Sequence, residues 1–209
     1  MKNASDADFL IFDLGNVIID IDYQRAMQLI TRELSPGYHE RVNSFYLTDF
    51  HKEYEVGKID SPTFRQEVRD YFQQDWSDEK VDLLWNNLLL KIPEKRLKLI
   101  SELRKKFQVG VLSNTNAIHI QAVNQILHDD HGLESLDPIF DWVFFSHEMG
   151  LAKPHPEIYE KMLLELGTSG DRVIFFDDLL ANVEGAKAVG IRAVHVTGPE
   201  VIFDFFGNV

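Results

Sequence analysis

Three clusters, Asp13-Leu14-Gly15-Asn16, Ser113-Asn114-Thr115-Asn116 and Asp177-Asp178, directly follow apolar runs, and a fourth, Lys153-Pro154, follows the run 142–145 after a short loop. Brought together, Asp13 and one of Asp177 or Asp178 would repel each other unless a cation lay between them. Oxygen donors without sulfur or a dedicated imidazole favour a hard ion, Mg2+ above all. Lys153 supplies one positive charge and Ser113 a hydroxyl, a pair suited to a tetrahedral anion. Gly15 lets backbone approach closely, and N–H groups exposed after a strand bind anions. A carboxylate nucleophile, a magnesium ion and a phosphate clamp describe phosphoryl transfer through an aspartyl-phosphate. Most of the catalytic work in such a reaction is positioning and charge neutralisation.

For the clusters to meet, the apolar runs before them must be neighbouring strands. Residues 9–12, 109–112 and 173–176 are short, almost wholly apolar runs, as expected of parallel strands covered on both faces. Residues 142–145 and 192–196 are weaker strand candidates. Helical spacing over 117–127, 156–166 and 181–189, with Gly190 placed as a C-cap, separates them. Strands alternating with helices predict an α/β fold, a Rossmann-like doubly wound parallel sheet whose ligands bind at the carboxyl edge. The alternation breaks after the first strand. Residues 21–92 carry only helical patterns and turn signals, and are expected to form a small all-helical insertion into a core of residues 1–20 and 93–209. Within it Ser61 stands before Pro62 as N-cap, and Ser77 before Asp78-Glu79 marks another helix start. Its aromatic residues are expected to build the insertion's own core.

Composition narrows the partners. With 34 acidic residues against 21 Lys plus Arg, the net charge of −13 disfavours nucleic acid and anionic lipid. A phosphorylated small molecule would need a local cation. The absence of cysteine removes disulfides and thiolate chemistry and fits a reducing compartment. The polar residues 1–8 lack the pattern of a signal peptide, and no apolar run is long enough to span a bilayer. A cytoplasmic location is expected; the oligomeric state is not legible.

The segments FDLGNV (12–17), LSNTN (112–116), GLAKPHPEIY (150–159) and FFDDLLANVEGAKAVG (175–190) resemble the four ordered motifs of the haloacid dehalogenase superfamily. The helical insertion resembles that superfamily's subclass I cap. The start DLGNV followed by Ile-Ile-Asp-Ile-Asp is similar to bacterial sugar-phosphate phosphatases acting on α-D-glucose 1-phosphate. The resemblance implies that Asp13 is the nucleophile and a magnesium ligand, with Gly15 offering its carbonyl and Asp178 its carboxylate to the metal. It implies that Lys153 bridges Asp13 and the phosphoryl oxygens. Gly15, Asn16, Ser113, Asn114 and Lys153 then form the phosphate site, with Asp177 and Asn182 acting behind the direct ligands.

One position departs from the pattern. Most phosphatases of the superfamily carry an acid two residues after the nucleophile, where this chain has Gly15. The reaction then relies either on a leaving group that departs readily, such as an anomeric phosphate, or on another acid. Candidates for that acid are Asp20, Asp22 or a histidine of the insertion such as His51. The rival functions are a metal-free 2-haloacid dehalogenase, a catalytically impaired phosphometabolite-binding protein, and a phosphotransferase. Crowded carboxylates argue against the first, and Gly15 is the best argument for the second. His128 and His131, with Asp129 and Asp130 between them, are expected in an exposed loop rather than in a zinc site.

Overall fold

The computed structural model describes residue 4 and residues 6–207. Its centre is a five-stranded sheet in the order β3-β2-β1-β4-β5, parallel throughout. The strands are β1 (Phe9–Phe12), β2 (Gln108–Ser113), β3 (Trp142–Phe145), β4 (Val173–Asp177) and β5 (Arg192–His195). All five candidate strands are present. β1 lies in the middle because its four residues are apolar on both faces: Phe12 joins one hydrophobic cluster and Ile11 the other. Gly110 lets β2 sit tightly between its neighbours, since a Cβ there would lie 2.9 Å from Ile11 Cδ1 and 3.0 Å from Trp142 Cβ. The register Phe12↔Val111 and Phe12↔Phe176 aligns the ends of β1, β2 and β4, so Asp13, Ser113 and Asp177 leave the sheet at one edge.

Helices α1 (Tyr23–Arg32), α2 (His39–Ser44), α3 (Asp49–Glu55), α4 (Ser61–Phe72) and α5 (Asp78–Asn86) follow β1. They enclose a second hydrophobic cluster around Phe45, Phe64, Phe72 and Trp85, to which Ile118 is added from outside. Phe45 stands 5.4 Å from Trp85 and 5.1 Å from Phe72 between ring centroids, so the aromatic residues do form the centre of this helical unit. The remaining helices are α6 (Glu94–Leu103), α7 (Ala117–His131), α8 (Ser146–Met149), α9 (Pro156–Leu166), α10 (Leu180–Ala188) and α11 (Val201–Phe206). α11 buries Ile202 and Phe206 against the sheet's own core.

Two local expectations are corrected. The N-cap of α4 is Asp60, whose carboxylate accepts the Thr63 N–H at 2.9 Å, while Ser61 instead pairs with the Tyr54 hydroxyl at 2.8 Å. A carboxylate caps as well as a hydroxyl, and the tertiary partner claims Ser61. The segment from His128 to His131 is the last turn of α7, not a loop. Gly132, left-handed at φ +67, ends the helix by donating to the His128 carbonyl. His131 then bonds the Ile92 carbonyl and His128 the Asp129 carboxylate. Among the described residues, these side chains do not form a metal-holding group. No helix of the described residues is long and apolar enough to cross a membrane.

Candidate active site

Asp13 follows the last residue of β1, where its N–H still bonds the Phe176 carbonyl at 2.7 Å. That bond fixes the residue against β4 and sends its side chain over the sheet edge. Asp177 ends β4 and Asp178 follows it. Oxygens of Asp13, Asp177 and Asp178 lie within 4.8 Å of one another. Three carboxylates so close need positive charge, and Lys153 supplies it. Its Nζ donates to Asp13 Oδ1 at 2.6 Å, Asp177 Oδ2 at 2.7 Å and the Leu112 carbonyl at 2.9 Å. The lysine side chain is 1% exposed. Burial works against its charge, but Asp13 and Asp177 outweigh burial and lift its pKa above the ordinary value, so it stays an ammonium. Burial pushes the Asp13 carboxyl up to about 7 against the pull of Lys153, with Asp177 adding repulsion. Asp178 is also raised, first by burial, with an Asn16 hydrogen bond opposing.

Lys153 is held by its own backbone. Asn114 uses both ends of its amide on that residue: Oδ1 accepts the Lys153 N–H and Nδ2 donates to the Lys153 carbonyl, each at 2.9 Å. Gly185 on α10 presses against the next residue; a Cβ there would lie 2.3 Å from the Pro154 carbonyl oxygen. The Lys153 loop therefore has a fixed address between β2 and α10.

The acidic pair divides by its hydrogen bonds. Both oxygens of Asp177 are engaged: Oδ1 by the Leu179 N–H at 2.8 Å and Asn182 Nδ2 at 3.0 Å, Oδ2 by Lys153 and the same amide at 3.0 Å. Asn182 is itself positioned by Tyr159, whose hydroxyl donates to its carbonyl at 2.8 Å. Asp178 is different. Its Oδ2 accepts from Asn16 Nδ2 at 2.9 Å, and its carbonyl pairs with His195 Nε2 at 3.0 Å. Asp13 uses Oδ1 on Lys153, while its Oδ2 would lie 3.7 Å from a Cβ added at Gly15. An all-oxygen set from Asp13, Asp178 and the loop at Gly15 suits Mg2+ by ligand chemistry, with Asp177 committed behind it.

The side-chain amides of Asn16 and Asn114 are engaged within the protein, while Asn114 also lines the same cavity as Gly15 and Ser113. Asn16 sits at φ +54, its N–H bonded to the Ile19 carbonyl and its Oδ1 accepting the Ile21 N–H at 3.2 Å. An asparagine tolerates this left-handed position, and its amide steadies Asp178. Ser113 is buried at the end of β2, and Gly15 and Ser113 both line a cavity of about 400 Å3. The far wall of this cavity is the helical unit: Tyr23, Tyr46, His51, Glu55 and Trp85, with His119 from α7. Sequence reasoning misses Glu55, His195 and Gly185. No local pattern marks Glu55, and the other two act only through contacts with distant segments.

Comparison with known proteins agrees with this geometry. The model of a family described as haloacid dehalogenase-like hydrolase matches residues 7–190. A D-ribitol-5-phosphate phosphatase from Bacteroides thetaiotaomicron is 27% identical over 183 residues, covering 88% of each chain. A haloacid dehalogenase family enzyme from the same bacterium, solved in complex with magnesium and inorganic phosphate, superposes with a TM-score of 0.83 at 30% identity over 90% of this chain and 93% of that one. An L-2-haloacid dehalogenase from Xanthobacter autotrophicus shares the fold alone, with a TM-score of 0.61 at 18% identity over 91% of this chain and 77% of that one. With its motifs converged at one sheet edge and the family model spanning most of its length, the chain belongs to the haloacid dehalogenase-like hydrolases.

Proposed function

We propose that this protein is a Mg2+-dependent phosphatase that hydrolyses a small phosphomonoester, a phosphorylated sugar or polyol, through an aspartyl-phosphate on Asp13. One observation carries the reading: three carboxylates converge within 4.8 Å beside a buried ammonium that holds two of them. A site built to repel itself without a cation is a poor design for metal-free chemistry and a good one for binding a divalent ion and a phosphate. The resemblance to phosphatases of sugar and polyol phosphates supports the substrate class.

Asp13, Asp178 and the Gly15 carbonyl would hold Mg2+, which when bound neutralises charge on the carboxylates and the phosphoryl oxygens. Asp13 attacks phosphorus with its carboxylate oxygen, and the bond to the leaving alcohol breaks. Lys153 keeps the nucleophile in place and offers its remaining charge to the phosphoryl group, while the Ser113 hydroxyl donates to a phosphoryl oxygen. Asp177 and Asn182 hold Lys153 and the loop before α10 in position. Water then attacks the aspartyl-phosphate and frees Asp13. Residues 21–92 act as a cap over the core of 1–20 and 93–209, a division supported by the separate aromatic cluster of the helices. The cap supplies polar groups for a hydroxylated substrate: the Tyr46 hydroxyl and His51 Nδ1 are buried without a hydrogen-bond partner among the described residues. The net charge of −13 and the lack of cysteine support a cytoplasmic enzyme that does not bind nucleic acid.

The test is a panel of phosphomonoesters assayed with wild type and Asp13→Asn, with and without Mg2+. Turnover of polyol or sugar phosphates by wild type with Mg2+ alone is the expected result. Equal activity in the two proteins sinks the mechanism, and dehalogenation that survives EDTA favours the rival chemistry.

A further inference from the structure

The protonation of the leaving alcohol has no obvious donor. The place two residues after Asp13 is Gly15, which carries no side chain to donate a proton, and Ile21 crowds the position: a Cβ there would sit 3.0 Å from Ile21 Cδ1. Asp20 is committed to an ion pair with Arg96 at 2.8 Å, and Asp22 caps α1 by accepting the Arg25 N–H at 3.1 Å. His51 is driven down to about 4 by burial and is neutral at physiological pH, so it holds no proton to give as an acid. Asp20, Asp22 and His51 are therefore poorly placed as proton donors.

We propose that Glu55, at the end of α3 in the cap, is the general acid for the leaving alcohol and the general base for the attacking water. Glu55 is the one carboxyl among the residues lining the 400 Å3 cavity, which Gly15 and Ser113 line from the other side. The segment around it is held against the core at three points, at Tyr54, Glu55 and Gly57. The Tyr54 hydroxyl accepts the Ile118 N–H at 3.2 Å, and the Glu55 carbonyl accepts Ser146 Oγ at 2.6 Å. Gly57, at φ +67, lies so close to the core that a Cβ would fall 2.0 Å from the His147 carbonyl oxygen. Such fixing suits an acid that must be held in one place against a bound substrate. Burial raises the Glu55 carboxyl to about 7, with Lys153 pulling the other way, which keeps a proton available near neutrality. The His51 ring is too far to take that proton by a direct hydrogen bond, its Nδ1 lying 3.8 Å from Glu55 Oε2.

The proposal rests on the phosphatase reading, and the proton balance follows from it. In the first step Asp13 forms its bond to phosphorus, the phosphorus–oxygen bond of the substrate breaks, and the departing alkoxide takes the Glu55 proton. In the second, water attacks the aspartyl-phosphate and loses a proton to the Glu55 carboxylate as the Asp13–phosphorus bond breaks. Phosphate leaves, and both side chains return to their starting states.

Rapid-quench measurement of phosphoenzyme formation in saturating Mg2+ tests this, using ribitol 5-phosphate, phenyl phosphate and 4-nitrophenyl phosphate. Glu55→Gln keeps the shape and hydrogen-bonding capacity of the side chain, and its thermal melt reports whether the fold survives. The expected result is a loss of about 10²–10⁴-fold with ribitol 5-phosphate, less with phenyl phosphate, and under about tenfold with 4-nitrophenyl phosphate, whose leaving group departs without a proton. Equal losses on all three, or none, overturn the assignment. If wild type forms no phosphoenzyme with any of them, the phosphatase reading itself has failed.

Discussion

Replacing Lys153 by methionine removes one charge and leaves the buried volume nearly filled. Wild type places the ammonium between Asp13 and Asp177, with its side chain 1% exposed and that of Asp177 fully buried. Breaking a buried pair in this way costs about 3–5 kcal/mol, because the remaining carboxylates keep their desolvation penalty without their partner. For a chain of this size each kcal/mol shifts Tm by about 2–4 °C, so Mg2+-free Lys153→Met should melt about 6–20 °C below wild type. Two further features separate this from loss of packing. The deficit should shrink in saturating Mg2+, since a cation among the carboxylates restores the missing charge. It should also shrink as pH falls, since protonated carboxylates no longer repel. Differential scanning fluorimetry at pH 5.5 and pH 8, with and without Mg2+, provides the four conditions. A deficit equal in all four, or absent at pH 8 without metal, would refute the charge argument.

Other outcomes follow from the same geometry. Asp13→Asn should abolish phosphoenzyme formation, yet melt no lower than wild type at pH 8 without Mg2+, because it removes a buried charge that Lys153 only partly offsets. With Asp13 raised to about 7, the folded metal-free protein holds a proton that the unfolded chain has released between about pH 4 and 7. Its stability therefore falls as pH rises through that window, by up to about 1.4 kcal/mol per pH unit. Apparent Mg2+ affinity should rise over the same range and then level, which calorimetric titration at several pH values would read. Gly185→Ala pits helix propensity, worth about 1 kcal/mol in favour of alanine, against a Cβ placed 2.3 Å from the Pro154 carbonyl oxygen. The clash, at about 1–3 kcal/mol, should win and displace the Lys153 loop, lowering both Tm and turnover.

How much of this is legible in the sequence depends on how local each cause is. The strands are readable because an apolar run of about four residues that stops at a polar cluster is short for a helix and suits a buried parallel strand. Ser77 caps α5 as its sequence position indicates. The cap on α4 slips by one residue because Asp60 and Ser61 are both good caps, and the choice turns on Tyr54 reaching Ser61. The end of α7 resembles a loop in sequence because its last turn is polar, until Gly132 is seen to close it. Asn16 and Asn114 are expected on phosphate because they flank the right residues. Their side-chain amides reach Asp178 and the Lys153 backbone, partners far away in sequence that no local pattern announces.

The residue types alone determined the kind of chemistry: acids at strand ends, a lysine beside them, no cysteine and a glycine where an acid is customary. Those are local properties, carried by each segment whatever surrounds it. Only the tertiary structure decided the division of labour. It decided that Asp177 is committed to Lys153 and Asn182 while Asp178 is steadied by Asn16, and that Glu55 from a distant helix is brought to the cavity beside Gly15. Hydrogen bonds and burial between segments set those roles, and a linear sequence holds no record of which distant groups will become neighbours.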